Sequence, residues 1–253
     1  MNNNERKRAK ALFEKLREEE QHLTCGDEAA RIYHQSHLHR FHKTIEICKK
    51  LAPNPHIQVL DVGSSFLTKL LAQEYEKVYT LGLDRTKDKG GQQYKSVNTL
   101  SLPHITFDLN DSPNTNRWPK IKQVFDLIVF AETIEHLYIA TEYSLTFLSS
   151  LLSKEGILLV TSPNAAMIVK RLILLLKGKN PFKQFRLYSE NPGHYREYTM
   201  KELSEAAARC KLDVIYSEYI NFHVSKLSFY GLLKNIKPSF KDSIVLAFRR
   251  RNY

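Results

Sequence analysis

Residues that could bind a metal or move a proton are concentrated in segment 131–137, which reads Ala-Glu-Thr-Ile-Glu-His-Leu. Glu132, Glu135 and His136 stand at positions i, i+3 and i+4, so they share one face if this stretch opens a helix. Two carboxylates and one imidazole can ligate a hard or borderline divalent ion. The alternative is that Glu135 and His136 only cap the helix and close over a bound ligand.

A second segment with chemical potential is 192–199, Pro-Gly-His-Tyr-Arg-Glu-Tyr-Thr, which contains His194. Thr199 is followed three residues later by Glu202, a pattern that predicts a capped helix. Our candidate catalytic residues are His194, His136 and Glu132. A histidine can act as the general base that a poor nucleophile, such as a sugar hydroxyl, needs near neutral pH. A divalent metal would instead activate the hydroxyl by lowering its pKa.

Three acidic residues, Asp61, Asp84 and Asp108, stand at the ends of three successive predicted strands. In an open parallel sheet, ligands bind at the carboxyl ends of the strands. Gly63 would let the backbone approach a ligand closely. An acid after the second strand can accept hydrogen bonds from both hydroxyls of a ribose, and one after the third can accept from an adenine amino group. Singly, each acid could equally serve a turn or a cap.

The pattern around these residues alternates short apolar runs with helical stretches, which predicts a doubly wound, mostly parallel sheet covered on both faces. The predicted strands are 57–62, 78–83, 105–107, 125–130, 156–161, 212–215 and 243–248. The predicted helices are 5–21, 28–51, 68–73, 140–152 and 226–235. Helix 28–51 carries four histidines (His34, His37, His39, His42) without a completing carboxylate or cysteine, which favours a helix lining the mouth of the site over a metal site.

From about Ile57 to Glu218 the chain resembles the class I S-adenosylmethionine-dependent methyltransferases, in the motif from Val59 to Ser65, the strand-end acids and the turn Leu-Ser-Lys-Glu-Gly-Ile-Leu at 152–158. The resemblance implies their seven-stranded fold and S-adenosyl-L-methionine as cofactor. The implied cofactor-binding residues are Asp61, Gly63, Ser64, Ser65, Asp84, Arg85, Asp108, Leu109 and Ala131. One departure is that Ser65 and Leu67 replace later glycines of the loop.

The combination E-x-x-E-H plus H-x-x-E-[WY]-T resembles the metal-dependent small-RNA 2′-O-methyltransferases, and its first half resembles the metal-assisted O-methyltransferases of quinone biosynthesis. This resemblance implies that Glu132, Glu135, His136 and His194 ligate Mg²⁺ or another divalent metal. We therefore hold two interpretations open, a metal site and a metal-free pair of histidines.

Residues 1–55 are predicted to form an N-terminal helical extension, and 56–253 one methyltransferase domain with a lid-like insert at about 165–195. The insert resembles a region of methyltransferases of polysaccharide and secondary-metabolite assembly. Its apolar run with Lys170, Arg171, Lys177 and Lys179 could form a lid, lie on a membrane surface or be a core helix with a basic last turn. The run at 172–176 is too short to span a bilayer.

The net charge of +11 favours anionic partners, although the basic residues are scattered. Three widely spaced cysteines and a start without an apolar stretch favour a cytoplasmic protein. The leading hypothesis is O-methylation of a sugar, glycoconjugate or related metabolite. Alternatives are a tailoring enzyme acting on a peptide or polyketide, an RNA ribose methyltransferase, which would bind nucleic acid, and an adenosylmethionine-binding regulatory protein.

Overall fold

The chain folds around one seven-stranded sheet. The computed structural model describes residues 28–84, 101–182, 193–222 and 236–251. The strands are β1 (Gln58–Val62), β2 (Lys77–Gly82), β3 (His104–Thr106), β4 (Phe125–Ala131), β5 (Leu152–Pro163), β6 (Leu212–Ile220) and β7 (Ser243–Arg250). The helices are α1 (Glu28–Leu51), α2 (Phe66–Glu74), α3 (Thr141–Ser150), α4 (Ile168–Lys177) and α5 (Met200–Arg209).

The strand order is β3-β2-β1-β4-β5-β7-β6. Every pair is parallel except those of β7, which runs antiparallel to both β5 and β6. The chain builds outward from β1 to β3, then returns to place β4 on the other side of β1. This reversal puts a crevice at the carboxyl ends of β1 and β4, where open α/β sheets bind their ligands.

Both faces of the sheet are buried, as the near-continuous apolar strands predict. Along β4, Leu127 and Val129 belong to the core beneath α1 and α2, whereas Ile128 and Phe130 belong to the core beneath α3 and α5. Successive side chains of a strand point to opposite faces, so an all-apolar strand supplies two cores at once. The seven-stranded, mostly parallel α/β fold predicted from the sequence is therefore confirmed.

The observed bounds follow the predicted ones closely at helix 28–51 and less closely at β6. Helix 28–51 is confirmed at both ends, and its end precedes Pro53 and Pro55 as expected. Strand β6 extends five residues beyond the predicted end at Ile215, because it pairs with β7 over its whole length while remaining partly exposed. The predicted helices 5–21 and 226–235 lie outside the described residues. No helix in the described part of the chain is long and apolar enough to cross a bilayer.

Candidate active site

The turn after β1 is shaped by the contact of Gly63 with Thr133. Gly63 has φ of +82° and donates its N–H to the carbonyl of Leu81 at 2.9 Å. The Thr133 hydroxyl donates to the carbonyl of Ala131 at 2.9 Å. A Cβ at position 63 would lie only 2.7 Å from Oγ1 of Thr133. Glycine is therefore required here both by conformation and by space. The Thr133 hydroxyl also lies 3.3 Å from the carbonyl of Val62, which connects the ends of β1 and β4 at the crevice.

Asp61 is tied into the same turn through α2. Thr68 donates its hydroxyl to the Asp61 carboxylate at 2.5 Å and also accepts the backbone N–H of Ser65 at 2.9 Å. Ser65 caps α2 with its side chain and has an ordinary extended conformation. Leu67 is buried in the core. These positions do not need glycine, so the missing loop glycines leave the turn well formed, and Asp61, Gly63 and Ser65 lie together as predicted.

The ends of β2 and β3 bring the other two acids to the same edge of the sheet. Asp84 follows β2 and is half-buried, while Arg85 lies outside the described residues. His104 on β3 places its Nε2 3.0 Å from the carbonyl of Leu83, directly before Asp84. A carbonyl can only accept, so Nε2 carries the proton in this bond. His104 therefore helps to hold the chain from which Asp84 projects, a role that the sequence did not indicate.

Asp108 lies after β3 at the crevice and also caps the short helical turn that follows it. Its Oδ1 accepts the backbone N–H of Asn110 at 2.9 Å and the Asn110 side-chain amide at 3.0 Å, and it caps the 3₁₀ turn Leu109–Asp111. Both bonds use the same oxygen, so capping occupies one of the two carboxylate oxygens. Asn110 in turn accepts the backbone N–H of Tyr138 at 3.0 Å, which links this strand end to the segment that follows β4.

Glu132 is not on the same helical face as Glu135 and His136, and the prediction that the three share one is wrong. Glu132 has φ of +49°, and the helical turn after it, Ile134–His136, is a single 3₁₀ turn. The Glu132 carboxylate accepts from the Thr161 hydroxyl at 2.9 Å and pairs with the guanidinium of Arg40 at 3.2 Å. Both members of the ion pair are largely buried. The i, i+3, i+4 spacing does not produce a shared helical face here, because β4 continues to Ala131 and the backbone turns sharply at Glu132.

Glu135, His136 and His194 do come together. One ligand atom from each of the three side chains lies within 4.8 Å of the others, and the two imidazole rings are 4.9 Å apart in a T-shaped arrangement. The backbone carbonyl of Glu135 also accepts the N–H of Tyr195 at 2.8 Å. The segment carrying His194 is thus attached to the turn after β4, and three of the four predicted ligands form one cluster.

The Nδ1 atom of each of the two histidines lies within hydrogen-bond distance of an acceptor. Nδ1 of His136 lies 2.9 Å from the carbonyl of Gly193, and Nδ1 of His194 lies 3.1 Å from the carboxylate of Glu197. In each case the acceptor holds a proton on Nδ1, so that the lone pair of the ring in its neutral form is on Nε2. Burial lowers the pKa of His136, so its neutral form is favoured. Such a nitrogen can ligate a metal or accept a proton.

Glu135 is the most deeply buried ionisable group of the cluster, at 1% exposure. Burial, reinforced by the nearby Glu132 carboxylate, raises its pKa well above the ordinary value. Within the described residues its Oε2 makes no hydrogen bond of good geometry, although the buried Ser162 hydroxyl lies near enough to lower the pKa of Glu135 slightly. A buried carboxylate oxygen without a partner costs free energy unless a proton or a cation reaches it. Two imidazoles beside it make a donor set that fits a divalent ion of the borderline class.

Three residues that complete the site were missed from the sequence. Arg40 reaches Glu132 from α1, which agrees with the expectation that this helix lines the mouth of the site, although an arginine and not a histidine makes the contact. Glu197 positions His194, and its other oxygen pairs with Lys170 of α4. Arg40 and Lys170 are single basic residues on helices, so no spacing distinguished them. Glu197 stood in the H-x-x-E motif, where its contact with His194 could have been expected.

The histidines of α1 do not contribute a second metal site within the described side chains. Among the described residues, the one cluster of metal-binding groups is that of Glu135, His136 and His194, and none of these residues belongs to α1. His37 packs near Phe41 with the ring centres 6.5 Å apart, and burial lowers the pKa of His42.

No protein-family model and no curated protein sequence matches the chain. Solved structures do match, at low sequence identity. An S-adenosylmethionine-dependent methyltransferase from Clostridium acetobutylicum is 12% identical, with a TM-score of 0.59 over 90% of this chain and 100% of that one. The N-methyltransferase NodS from Bradyrhizobium japonicum, crystallised with S-adenosyl-L-homocysteine, is 11% identical, with a TM-score of 0.55 over 93% and 98%.

A third match is the 1,6-didemethyltoxoflavin-N1-methyltransferase of Burkholderia thailandensis, solved with its substrate and S-adenosylhomocysteine. It is 12% identical, with a TM-score of 0.55 over 95% of this chain and 90% of that one. The alignments span nearly the whole of each molecule, so the likeness concerns the entire architecture. The chain therefore has the fold of the S-adenosylmethionine-dependent methyltransferases.

Proposed function

We propose that the protein is a methyltransferase that uses S-adenosyl-L-methionine. The observation that carries the proposal is the set of three carboxylates, Asp61, Asp84 and Asp108, at the carboxyl ends of adjacent parallel strands beside the turn at Gly63. Asp84 would accept hydrogen bonds from the ribose hydroxyls, and Asp108 would accept a hydrogen bond from the adenine amino group. A nicotinamide dinucleotide fits less well, because its pyrophosphate needs the close backbone approach that a loop with more glycines provides.

Calorimetry with S-adenosylhomocysteine tests this assignment. We expect Asp84→Asn to weaken binding at least tenfold, because a neutral amide replaces the charged acceptor of two hydroxyl hydrogen bonds. Asp111→Asn is the matched control, since Asp111 is exposed one turn from Asp108 and pairs with Arg117. Absence of binding by the folded wild-type protein would contradict the proposal, as would equal losses in the two variants.

For the acceptor we propose a hydroxyl of a sugar, glycoconjugate or comparable metabolite. The support is chemical, since an alcohol needs its proton removed as it attacks the methyl group, and His136 or His194 would take that proton. A neutral amine needs no such base. Glu132, which the sequence suggested as a catalytic group, is bound to Arg40 and Thr161 and would instead hold the wall of the crevice.

Incubation with adenosylmethionine and candidate acceptors separates the remaining classes. Release of S-adenosylhomocysteine only with a hydroxylated saccharide supports the leading proposal. Turnover with a peptide or with short RNA would replace it by a tailoring or an RNA ribose methyltransferase. If cofactor binds tightly but no acceptor is methylated, with or without a divalent metal, the regulatory alternative is favoured.

A metal-assisted reaction is a second candidate, favoured by the cluster of Glu135, His136 and His194. The residues fit a metal because Oε2 of Glu135 is buried without a hydrogen bond of good geometry among the described residues, and because Nδ1 of each histidine is bound to an acceptor. Two nitrogens and one carboxylate suit Mn²⁺, Fe²⁺, Co²⁺ or Zn²⁺ better than Mg²⁺, which prefers oxygen. A bound ion would act as a Lewis acid toward the acceptor oxygen.

Titration with MnCl₂ and with MgCl₂, followed by calorimetry, tests this candidate. We expect Mn²⁺ to bind more tightly than Mg²⁺ and Glu135→Gln to lose at least tenfold in Mn²⁺ affinity. Glutamine keeps the shape of the buried side chain, and Glu205→Gln on exposed α5 is the control for a lost carboxylate. If neither ion binds wild-type protein, the histidines act without a metal.

A further inference from the structure

The last turn of helix α4 contains three consecutive leucines that are exposed to solvent. Leu174, Leu175 and Leu176 are 57%, 79% and 74% exposed. Only Ile168, at the other end of the helix, is buried. The interpretation of this segment as a core helix is therefore wrong for its last turn. Contiguous exposed apolar surface of this kind marks an interaction site more often than chance.

The arrangement of the leucines favours an occupant that surrounds the helix end. Consecutive residues of an α-helix are about 100° apart, so three of them span about 200° of its circumference. A folded partner presents one surface and would leave part of this arc exposed. Three leucines also fall well short of the roughly 800 Å² that each partner of a stable dimer buries. The interfacial region of a bilayer can enclose such a tip completely.

Positive charge lies next to the leucines. Exposed Lys177 ends the helix, Gly178 turns the chain in a left-handed conformation, and exposed Lys179 follows. Lysines beside an apolar tip can reach lipid phosphates while the leucines enter the acyl boundary. The net charge of +11 adds a general attraction toward an anionic surface.

The base of α4 is fixed to the protein, so the tip projects from a stable support. Lys170 pairs with Glu197 and lies 5.2 Å from the centre of the Phe182 ring. Arg171 donates to the carbonyl of Ala166 at 2.5 Å and lies 5.4 Å from the ring centre of Phe240. The two basic residues nearest the base are thus used internally, whereas those at the tip face solvent.

We propose that the end of α4, residues 174–179, docks on an anionic bilayer surface, with Leu174, Leu175 and Leu176 inserted below the headgroups and Lys177 and Lys179 bound to lipid phosphates. Interfacial helices bury their apolar residues about 5–10 Å deep, and one helical turn rises about 5.4 Å, so the three leucines can be accommodated. This inference does not depend on the reaction that the protein catalyses.

Co-sedimentation of the full chain with lipid vesicles tests the proposal. Wild-type protein is expected to sediment with vesicles of phosphatidylcholine plus phosphatidylglycerol, to bind phosphatidylcholine vesicles weakly, and to be released by high salt. Leu175→Asp/Leu176→Asp is expected to abolish sedimentation. Lys177→Gln/Lys179→Gln should weaken it by tenfold or more, since each lysine near an anionic surface contributes about fivefold.

Matched controls come from the loop before β4, which lies at the amino end of that strand, whereas α4 follows the carboxyl end of β5. Val124 is 50% exposed, and Lys120 and Lys122 are exposed beside it. Gln123 is also exposed, so Gln123→Asp/Val124→Asp and Lys120→Gln/Lys122→Gln carry the same changes of charge as the two α4 variants and should bind vesicles like wild type. Circular dichroism checks that each variant is folded.

Three results would overturn the proposal. The first is that folded wild-type protein does not bind anionic vesicles. The second is that the α4 variants and the control variants lose binding equally, which would indicate a general charge effect. The third is a wild-type dimer in light scattering that Leu175→Asp/Leu176→Asp converts to monomer, because a second copy of the chain would then cover the tip.

Discussion

At the scale of single residues, the site depends on two backbone positions with positive φ. Gly63 needs the left-handed region to turn the chain after β1, and Glu132 adopts it at the end of β4 although it carries a side chain. Left-handed backbone costs a non-glycine residue roughly 1–2 kcal/mol. The bonds of the Glu132 carboxylate to Arg40 and Thr161 offset that cost, so the conformation and the ion pair stabilise each other.

Gly63→Ala should therefore destabilise the protein by about 2 kcal/mol or more, because strain and the clash with Thr133 add together. S-adenosylhomocysteine affinity should fall at least tenfold. Gly178→Ala is the control, since Gly178 also has positive φ but a Cβ there would meet no atom within 4 Å. It should lose only about 1 kcal/mol and keep its affinity. Urea unfolding and calorimetry measure both quantities, and equal effects in the two variants would contradict the role of Thr133.

At the scale of elements, two helices outside the sheet reach the carboxyl ends of its strands through ion pairs. Arg40 connects α1 to the end of β4, and Lys170 connects α4 through Glu197 to His194. The sheet alone gathers the strand-end acids, whereas these helices fix the side chains on the opposite wall of the crevice.

A double-mutant cycle of Arg40→Ala and Glu132→Gln measures the tie between α1 and β4. Each single variant should lose about 2 kcal/mol of stability, because it leaves a largely buried charged or polar partner uncompensated. The coupling energy should exceed about 1 kcal/mol, since the two side chains are in contact. The exposed pair Lys201 and Glu205 on α5 serves as the reference cycle and should couple by less than about 0.5 kcal/mol. Additive losses at Arg40 and Glu132 would show that the helix is held by packing alone.

At the scale of the whole molecule, the reversal of strand order makes one edge of the sheet the binding edge. A ligand that joins the ends of β1, β2 and β3 stabilises only the folded chain, so its binding should raise the melting temperature. S-adenosylhomocysteine at 100 times its Kd adds about 2.7 kcal/mol, which corresponds to about 5–10 °C for a domain of this size. NAD⁺ at equal concentration should give no shift. Thermal denaturation measures both, and a larger shift with NAD⁺ would assign the crevice to a dinucleotide.

The sequence by itself determined the fold and the edge of the sheet at which the three acids lie, because both follow from local patterns. An apolar strand such as 125–130 must be buried on both faces, and an acid after each strand must lie at the carboxyl edge of a parallel sheet. Helix 28–51 was also predictable, since its composition and the prolines beyond it act within a few residues. For the same reason the grouping of Asp61, Gly63 and Ser65 needed no tertiary information.

Only the tertiary structure decided what the other chemical residues contact. Spacing placed Glu132 with Glu135 and His136, but a turn of the backbone at Glu132 directs its carboxylate to Arg40, 92 residues earlier in the chain. His194 joins His136 because Tyr195 and Gly193 bond to the turn after β4. The leucines of α4 stay exposed because only the base of that helix packs against the rest of the protein. Such contacts join distant parts of the chain, and no local pattern of residues encodes them.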